Sequence, residues 1–217
     1  MEFLVKVLAA YLLGSVIGSL VLGRLKGVDI RQMGSGNAGA TNAIRTQGTA
    51  FGIAVFAIDL AKGWLAAAVL PALEIPGMSA APITADLAAW LAPACGFAAI
   101  LGHVFPAWHG FRGGKGVATL IGAFAGLDPW LLLPLFATWL VVVMMSGFVG
   151  LASITAAFAL PLYLLIRDGA VLSRELGFTI ACAALVLFTH RANLRRMRAG
   201  TEPRARRLWL FGRRARE

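Results

Sequence analysis

Long apolar runs broken by short polar or Gly/Pro segments set the pattern of this chain. Seven runs are read as helical passes, at about residues 3–23, 50–73, 84–106, 117–127, 129–146, 149–166 and 175–190. A hydrocarbon core of about 30 Å takes roughly 20 apolar residues per helical pass. The run at 117–127 is the shortest against that measure. The first run extends from Phe3 to Leu22 and carries Gly14/Gly18 and Ser15/Ser19 at helical spacing. Small residues so placed suit close helix packing in an uncleaved span rather than a signal peptide. The expected fold class is all-α, a polytopic transmembrane helix bundle of about seven spans. Residues 1–217 form one integral membrane domain, with 203–217 as an arginine-rich tail.

Composition agrees with that pattern. Of 217 residues, 59% are hydrophobic and 14% charged, with a mean hydropathy of +0.79. This excludes a soluble globular domain of the same size. Cys95 and Cys182 lie inside apolar runs, without CxxC or His/Cys spacing, and are read as packing residues. No metal and no cofactor are expected.

Charge sets the orientation. An odd number of passes puts the segments 24–48, 109–116, 147–148 and the tail from Arg191 on one face. Sixteen of the twenty Lys and Arg residues fall there, so the positive-inside rule makes that face cytoplasmic and places the N-terminus outside. The opposite loops carry Glu74, Asp86, Asp128 and the mixed set Arg167, Asp168, Arg174 and Glu175. The tail is read as a topology anchor attracted to anionic lipid headgroups, with Trp209 and Phe211 at the interface. Nucleic acid is not an expected partner, since nothing else in the chain supports it.

Three polar stretches interrupt the apolar runs, all on the predicted cytoplasmic face. The first, Gly34-Ser35-Gly36-Asn37-Ala38-Gly39-Ala40-Thr41-Asn42 with Arg45 beyond it, combines flexible glycines with side-chain donors. Such a segment can converge backbone N–H groups on an anion ahead of a helix N-terminus, which implies a phosphate ligand. The same residue types also serve an ordinary loop-to-helix turn. Residues 34–39 match GxGxxG literally, but they follow a membrane span and not a strand, so a dinucleotide site is rejected.

The second stretch runs from Gly102 and His103 through His109, Gly110, Phe111 and Arg112 to Gly113-Gly114-Lys115-Gly116. It is not a Walker motif: His109 stands where the first glycine belongs, and Gly116 replaces the magnesium-binding Ser/Thr. A glycine-lined loop still leaves room for a phosphate that Arg112 and Lys115 can neutralise. The plainer reading of the glycines is a flexible link. For His103, near a span end, it is a hydrogen bond to a neighbouring helix. The third stretch, His190 to Glu202, leaves the last span; a continuing helix would set His190 and Asn193 on one face, whether as a site or as a basic juxtamembrane helix. Asp59 and Lys62 lie within the second span. They are either mutually neutralising structural glue or part of a polar site.

Taken together, SGNAGATN with its downstream Arg45, GHVFPAWHGFRGGKGVAT and HRANLRRMRAGTE resemble, in order and topology, the bacterial acyl-phosphate:glycerol-3-phosphate acyltransferase family. The resemblance spans nearly the whole chain. It implies a multi-pass enzyme of the bacterial inner membrane, its active site facing the cytoplasm. The implied reaction transfers a fatty acyl group from acyl phosphate to glycerol 3-phosphate, making lysophosphatidic acid for phospholipid synthesis. By the resemblance, Ser35, Arg45, Lys115, His190 and Asn193 carry the catalysis. Asn37, Gly39, Thr41, Asn42, His103, Arg112, Gly113, Gly114, Gly116 and Glu202 bind substrate, with the Gly113–Gly116 loop as the glycerol 3-phosphate region. The long arginine-rich tail departs from the simplest family pattern.

The donor anhydride is already activated, so no covalent enzyme intermediate is required. The His-x4-Asp dyad of soluble-faced glycerolipid acyltransferases is absent: the residues five beyond His103, His109 and His190 are Trp108, Gly114 and Arg195. Either His190 or a substrate phosphate takes the hydroxyl proton. The rival reading is a transporter or flippase for phosphorylated solutes. Against it stand the lack of an internal repeat and the clustering of the polar stretches on one face.

Overall fold

A computed structural model of the chain describes residues 1–76, 84–169 and 173–212. Among the described residues the regular structure is helical, with no strand. The chain divides into two compact units, Met1–Asp128 and Pro129–Glu217.

The first unit holds α1 (Glu2–Gly14), α2 (Gly18–Leu25), α3 (Ala40–Gln47), α4 (Thr49–Trp64), α5 (Ala85–Val104) and α6 (Val117–Leu127). Helix α4 continues through a π-helical turn at Leu65–Val69 and a 3-10 turn at Leu70–Ala72, giving one apolar element, Thr49–Ala72. The main packings are α1 on α5 and α4 on α6. Both crossings bring backbones together on reciprocal glycines. A Cβ on Gly14 would overlap the Ala99 backbone and one on Gly102 the Tyr11 carbonyl; Gly63 and Gly122 stand in the same relation to Thr119 and Leu60. Apolar side chains gain little by leaving lipid for another helix, so close backbone approach supplies the cohesion.

The first apolar run is not the single straight span expected at 3–23. Helices α1 and α2 meet at 46°, with Ile17 extended between them. The break exposes a carbonyl and an N–H that hydrocarbon cannot satisfy. Both find partners on α4. Lys62 Nζ donates to the Val16 carbonyl at 2.7 Å, and Gly18 N donates to Asp59 Oδ1 at 3.1 Å. Beside the break, Ser19 Oγ donates to the Ala38 carbonyl at 2.6 Å and anchors the first polar stretch.

The second unit holds α7 (Leu132–Ser146), α8 (Val149–Asp168), α9 (Arg174–Thr189) and α10 (Arg191–Arg198). Helix α7 ends at Gly147 in the left-handed region, and α8 packs on α7 and α9. Helices α9 and α10 meet at 51° on His190, so the helix does not run straight on past the last span. The described part of the tail folds back on the α7–α8 turn. Ala205 N donates to the Gly147 carbonyl at 2.7 Å, and the Arg204 guanidinium lies 4.7 Å from the Phe148 ring and 4.1 Å from that of Trp209.

Among the described residues, four elements are long and apolar enough to cross a membrane: Thr49–Ala72, Ala85–His109, Pro129–Ser146 and Val149–Asp168. The two bent pairs raise that number to six if each is one span. Helix α6, of 11 residues, reaches only about 16 Å at 1.5 Å per residue.

Candidate active site

Asn42 organises the first polar stretch. Its side chain is 2% exposed and points into its own loop. Nδ2 donates to the carbonyls of Ile30 at 3.1 Å, Met33 at 2.9 Å and Asn37 at 3.0 Å, while Oδ1 accepts from Ser35 N at 2.9 Å. Gly34, at φ +57°, turns the chain where a Cβ would strike Asn42 Oδ1. The Asn42 donors are therefore spent on shaping the loop and do not reach outward. The loop presents Ser35, Thr41 and Arg45 exposed, with Asn37 and Gly39 half-buried. Gly39 stands at the N-cap of α3.

The second stretch lies flat on the C-terminal end of α5. Gly113 N donates to the Val104 carbonyl at 3.2 Å and Gly114 N to the His103 carbonyl at 3.0 Å. A Cβ on Gly113 would meet the His103 carbonyl, and one on Gly114 the His103 Nε2. Gly116, at φ +82°, turns the chain into α6. These glycines thus have a specific packing reason beyond flexibility. Arg112 is exposed and Lys115 half-buried.

Arg31 joins the two stretches. Its Nη1 donates to the carbonyls of His109 and Arg112, each at 3.2 Å. Asp29 aims the guanidinium, accepting from Nη2 at 2.8 Å and from Nε at 3.1 Å. The Arg31 guanidinium holds the Asp29 carboxyl below its ordinary value, and the pairing raises Arg31 in turn. Sequence reasoning counted Arg31 only as a topology charge. The one local signal for this tie was an aspartate two residues before it.

Beneath the second stretch lies a buried cluster. Asp59, Lys62 and His103 are 1%, 3% and 2% exposed. Lys62 Nζ is 2.9 Å from Asp59 Oδ1 and 2.9 Å from His103 Nδ1. Asp59 and Lys62 thus pair directly, and His103 on α5 joins them as a third member, so both features that the sequence left as alternatives, mutual neutralisation and a larger polar cluster, are present.

In the second unit, His190 is 3% exposed, and its Nδ1 donates to the Val186 carbonyl at 2.8 Å. A neutral ring so held carries its basic lone pair on Nε2. Asn193 Nδ2 donates to Glu202 Oε1 at 2.6 Å, and Arg196 Nε to Glu202 Oε2 at 2.6 Å. Glu202 thereby fixes the Asn193 amide, and Asn193 packs against Gly150. Among the described residues no group of His, Cys, Asp and Glu could hold a metal ion.

Apolar helices capped by glycine-shaped loops that carry cations define an integral membrane protein with its polar, basic groups gathered on its loops. The comparisons with known proteins narrow this class. A family described as glycerol-3-phosphate acyltransferase matches residues 4–200, and the chain belongs to that family. It is 42% identical over 199 residues to the glycerol-3-phosphate acyltransferase of Thioalkalivibrio sulfidiphilus, covering 91% of each chain. Over 204 residues it is 39% identical to that of Aquifex aeolicus, covering 94% of this chain and 100% of the relative. Crystal structures of PlsY (YgiH), an integral membrane glycerol 3-phosphate acyltransferase, share the fold. The glycerol 3-phosphate form superposes with a TM-score of 0.79 at 36% identity, covering 94% of this chain and 96% of that one. A lysophosphatidic acid form superposes with a TM-score of 0.77 at the same identity, covering 94% and 95%.

Proposed function

We propose that the protein transfers a fatty acyl group from acyl phosphate to glycerol 3-phosphate, forming 1-acyl-glycerol 3-phosphate (lysophosphatidic acid) and inorganic phosphate. The reaction serves phospholipid synthesis at the cytoplasmic face of the bacterial inner membrane. The protein makes seven passes, with the N-terminus outside and the C-terminus in the cytoplasm. The observation that carries this reading is the Arg31 tie. It holds two glycine-shaped loops together, each bearing cations, and two phosphate-bearing reactants call for two such anion sites.

In this reading the Gly113, Gly114 and Gly116 backbone, with Arg112 and Lys115, receives the glycerol 3-phosphate phosphate. Ser35, Asn37, Gly39 and Thr41, with Arg45, clamp phosphate from the other loop. Asn42 contributes by shaping that loop. The acceptor hydroxyl oxygen forms an ester bond to the acyl carbon while the anhydride C–O bond breaks and phosphate leaves. Charge building on the carbonyl oxygen and the departing phosphate is met by these donors, each worth on the order of 10²–10³ in rate. The hydroxyl proton passes to His190 Nε2, a role supported by the Nδ1 hydrogen bond to Val186. Asn193, held by Glu202, orients the acceptor.

The test is an assay of purified protein with acyl phosphate and glycerol 3-phosphate as the only reactants. Lysophosphatidic acid and phosphate should appear in equal amounts. Comparable turnover with long-chain acyl-CoA as sole donor would overturn the donor assignment.

A further inference from the structure

Asp59 and Lys62 lie within the membrane-crossing element Thr49–Ala72, where ionisable groups are costly and usually functional. Their link to the α1–α2 break gives them a structural task, but it leaves two features without explanation. Asp59 Oδ2 is buried with no hydrogen-bond partner among the described residues, so the cluster is not arranged for stability alone. Its third member, His103, also reaches past the cluster, with Nε2 against Gly114 of the glycine-rich loop.

The donor arithmetic of Lys62 decides which ring nitrogen of His103 carries the proton. An ammonium has three N–H donors and no acceptor. Lys62 Nζ has three acceptors in reach: the Val16 carbonyl at 2.7 Å, Asp59 Oδ1 at 2.9 Å and His103 Nδ1 at 2.9 Å. Nδ1 must therefore offer its lone pair. A proton there would face the ammonium, and the Asp59 oxygen that could accept it stands farther off, at 3.4 Å. With Nδ1 an acceptor, the ring proton sits on Nε2, the nitrogen that faces Gly114.

We propose that Lys62 and Asp59 are positioning residues for the reaction: they fix His103 as an Nε2–H donor aimed at the glycine-rich loop, where it serves the phosphate of glycerol 3-phosphate. The inference rests on the reading that the Gly113–Gly116 loop receives that phosphate. It also accounts for Gly114, since a side chain there would cover Nε2. Lys62 and Asp59 touch no substrate and act only through the ring.

Two substitutions separate this role from packing. In His103→Asn, the amide oxygen can replace Nδ1 as the acceptor for Lys62, but no donor reaches the loop. In His103→Gln, the amide nitrogen can replace Nε2–H at the loop, while the Lys62 contact is disturbed. Direct binding of glycerol 3-phosphate to purified, monodisperse protein should weaken at least about 10-fold in His103→Asn. His103→Gln should bind more tightly than His103→Asn. A purely structural role predicts the reverse ranking, and that result, or equal binding by both, overturns the proposal. ¹⁵N NMR of histidine-labelled protein at neutral pH should show His103 protonated at Nε2 only, and Lys62→Met should change that signature. A ring protonated at Nδ1, or at both nitrogens, also overturns it. Absence of acyl transfer with the binding order intact would sink the acyltransferase reading and leave this one standing.

Discussion

The guanidinium of Arg31 donates to the carbonyl of Arg112 at 3.2 Å and so joins two loops that lie 81 residues apart in sequence. The bond needs Asp29, which holds the other edge of the same guanidinium. Removing either partner frees the loops from each other without removing any group assigned to the substrates. Arg31→Ala should raise KM for glycerol 3-phosphate by about 3- to 30-fold, the weight of one or two charge-assisted hydrogen bonds. Asp29→Asn should act in the same direction and more weakly. Steady-state kinetics in detergent or liposomes checks both.

The pH dependence of this tie has a definite sign. Asp29 is held below its ordinary value by Arg31, so its contribution is complete above the unfolded carboxylate pKa and is lost only as pH falls through the lower folded value. Between about pH 5 and 9 the Asp29–Arg31 pair stays charged. The Asp29→Asn rate profile should therefore run parallel to that of the parent protein across this range. A profile that converges with the parent at its alkaline end would contradict the assignment.

Asn42 predicts an order of severity. Asn42→Ala takes the amide from the Ser35 N–H and the Asn37 carbonyl and leaves the carbonyls of Ile30 and Met33 with only their backbone partners, Met33 N and Gly36 N, a loss of about 1–3 kcal/mol per group left unsatisfied, before relaxation. Asn42→Asp keeps the acceptor but turns a carboxylate oxygen toward the carbonyls of Ile30, Met33 and Asn37. The Asp variant should have the lower melting temperature and the lower activity. Thermal scans of purified protein decide the order, and an Asp variant more stable than the Ala variant would show that the amide is not spent inward.

Lys115 and Arg45 test the phosphate assignment directly. Each supplies charge that backbone N–H groups cannot replace, so either change to Ala should cut turnover by at least about 10²-fold in protein that still inserts and folds. Arg174→Ala, at the opposite end of the predicted topology, is the control and should keep parental turnover. Equal activity in all three would remove the clamp.

The proposed seven-pass topology makes a separate demand. A reporter fused after Glu217 should behave as cytoplasmic and one inserted near Ser79, outside the described residues, as external, because the proposed topology puts sixteen of the twenty basic residues on one face. Finding both on the same side would remove the odd pass count, and α6, with its 11 residues, would be the helix to withdraw from the membrane.

What the chain by itself determined was the helices and the three polar stretches, including Ser35, Arg45, Lys115, His190 and Asn193. These are local properties: lipid forces each apolar run to satisfy its own backbone, and a glycine-rich cationic segment is conspicuous within such runs. Tertiary structure alone decided the partners. Periodicity gave no sign of the 46° break between α1 and α2, because what tolerates it is a lysine and an aspartate on α4. Nor could spacing tell that Asn42 turns inward, that Gly114 lies on the His103 ring, or that Arg31 spans two loops. Each of these depends on where another segment ends in space, and hydrogen bonds of fixed length settle it only once the helices have packed.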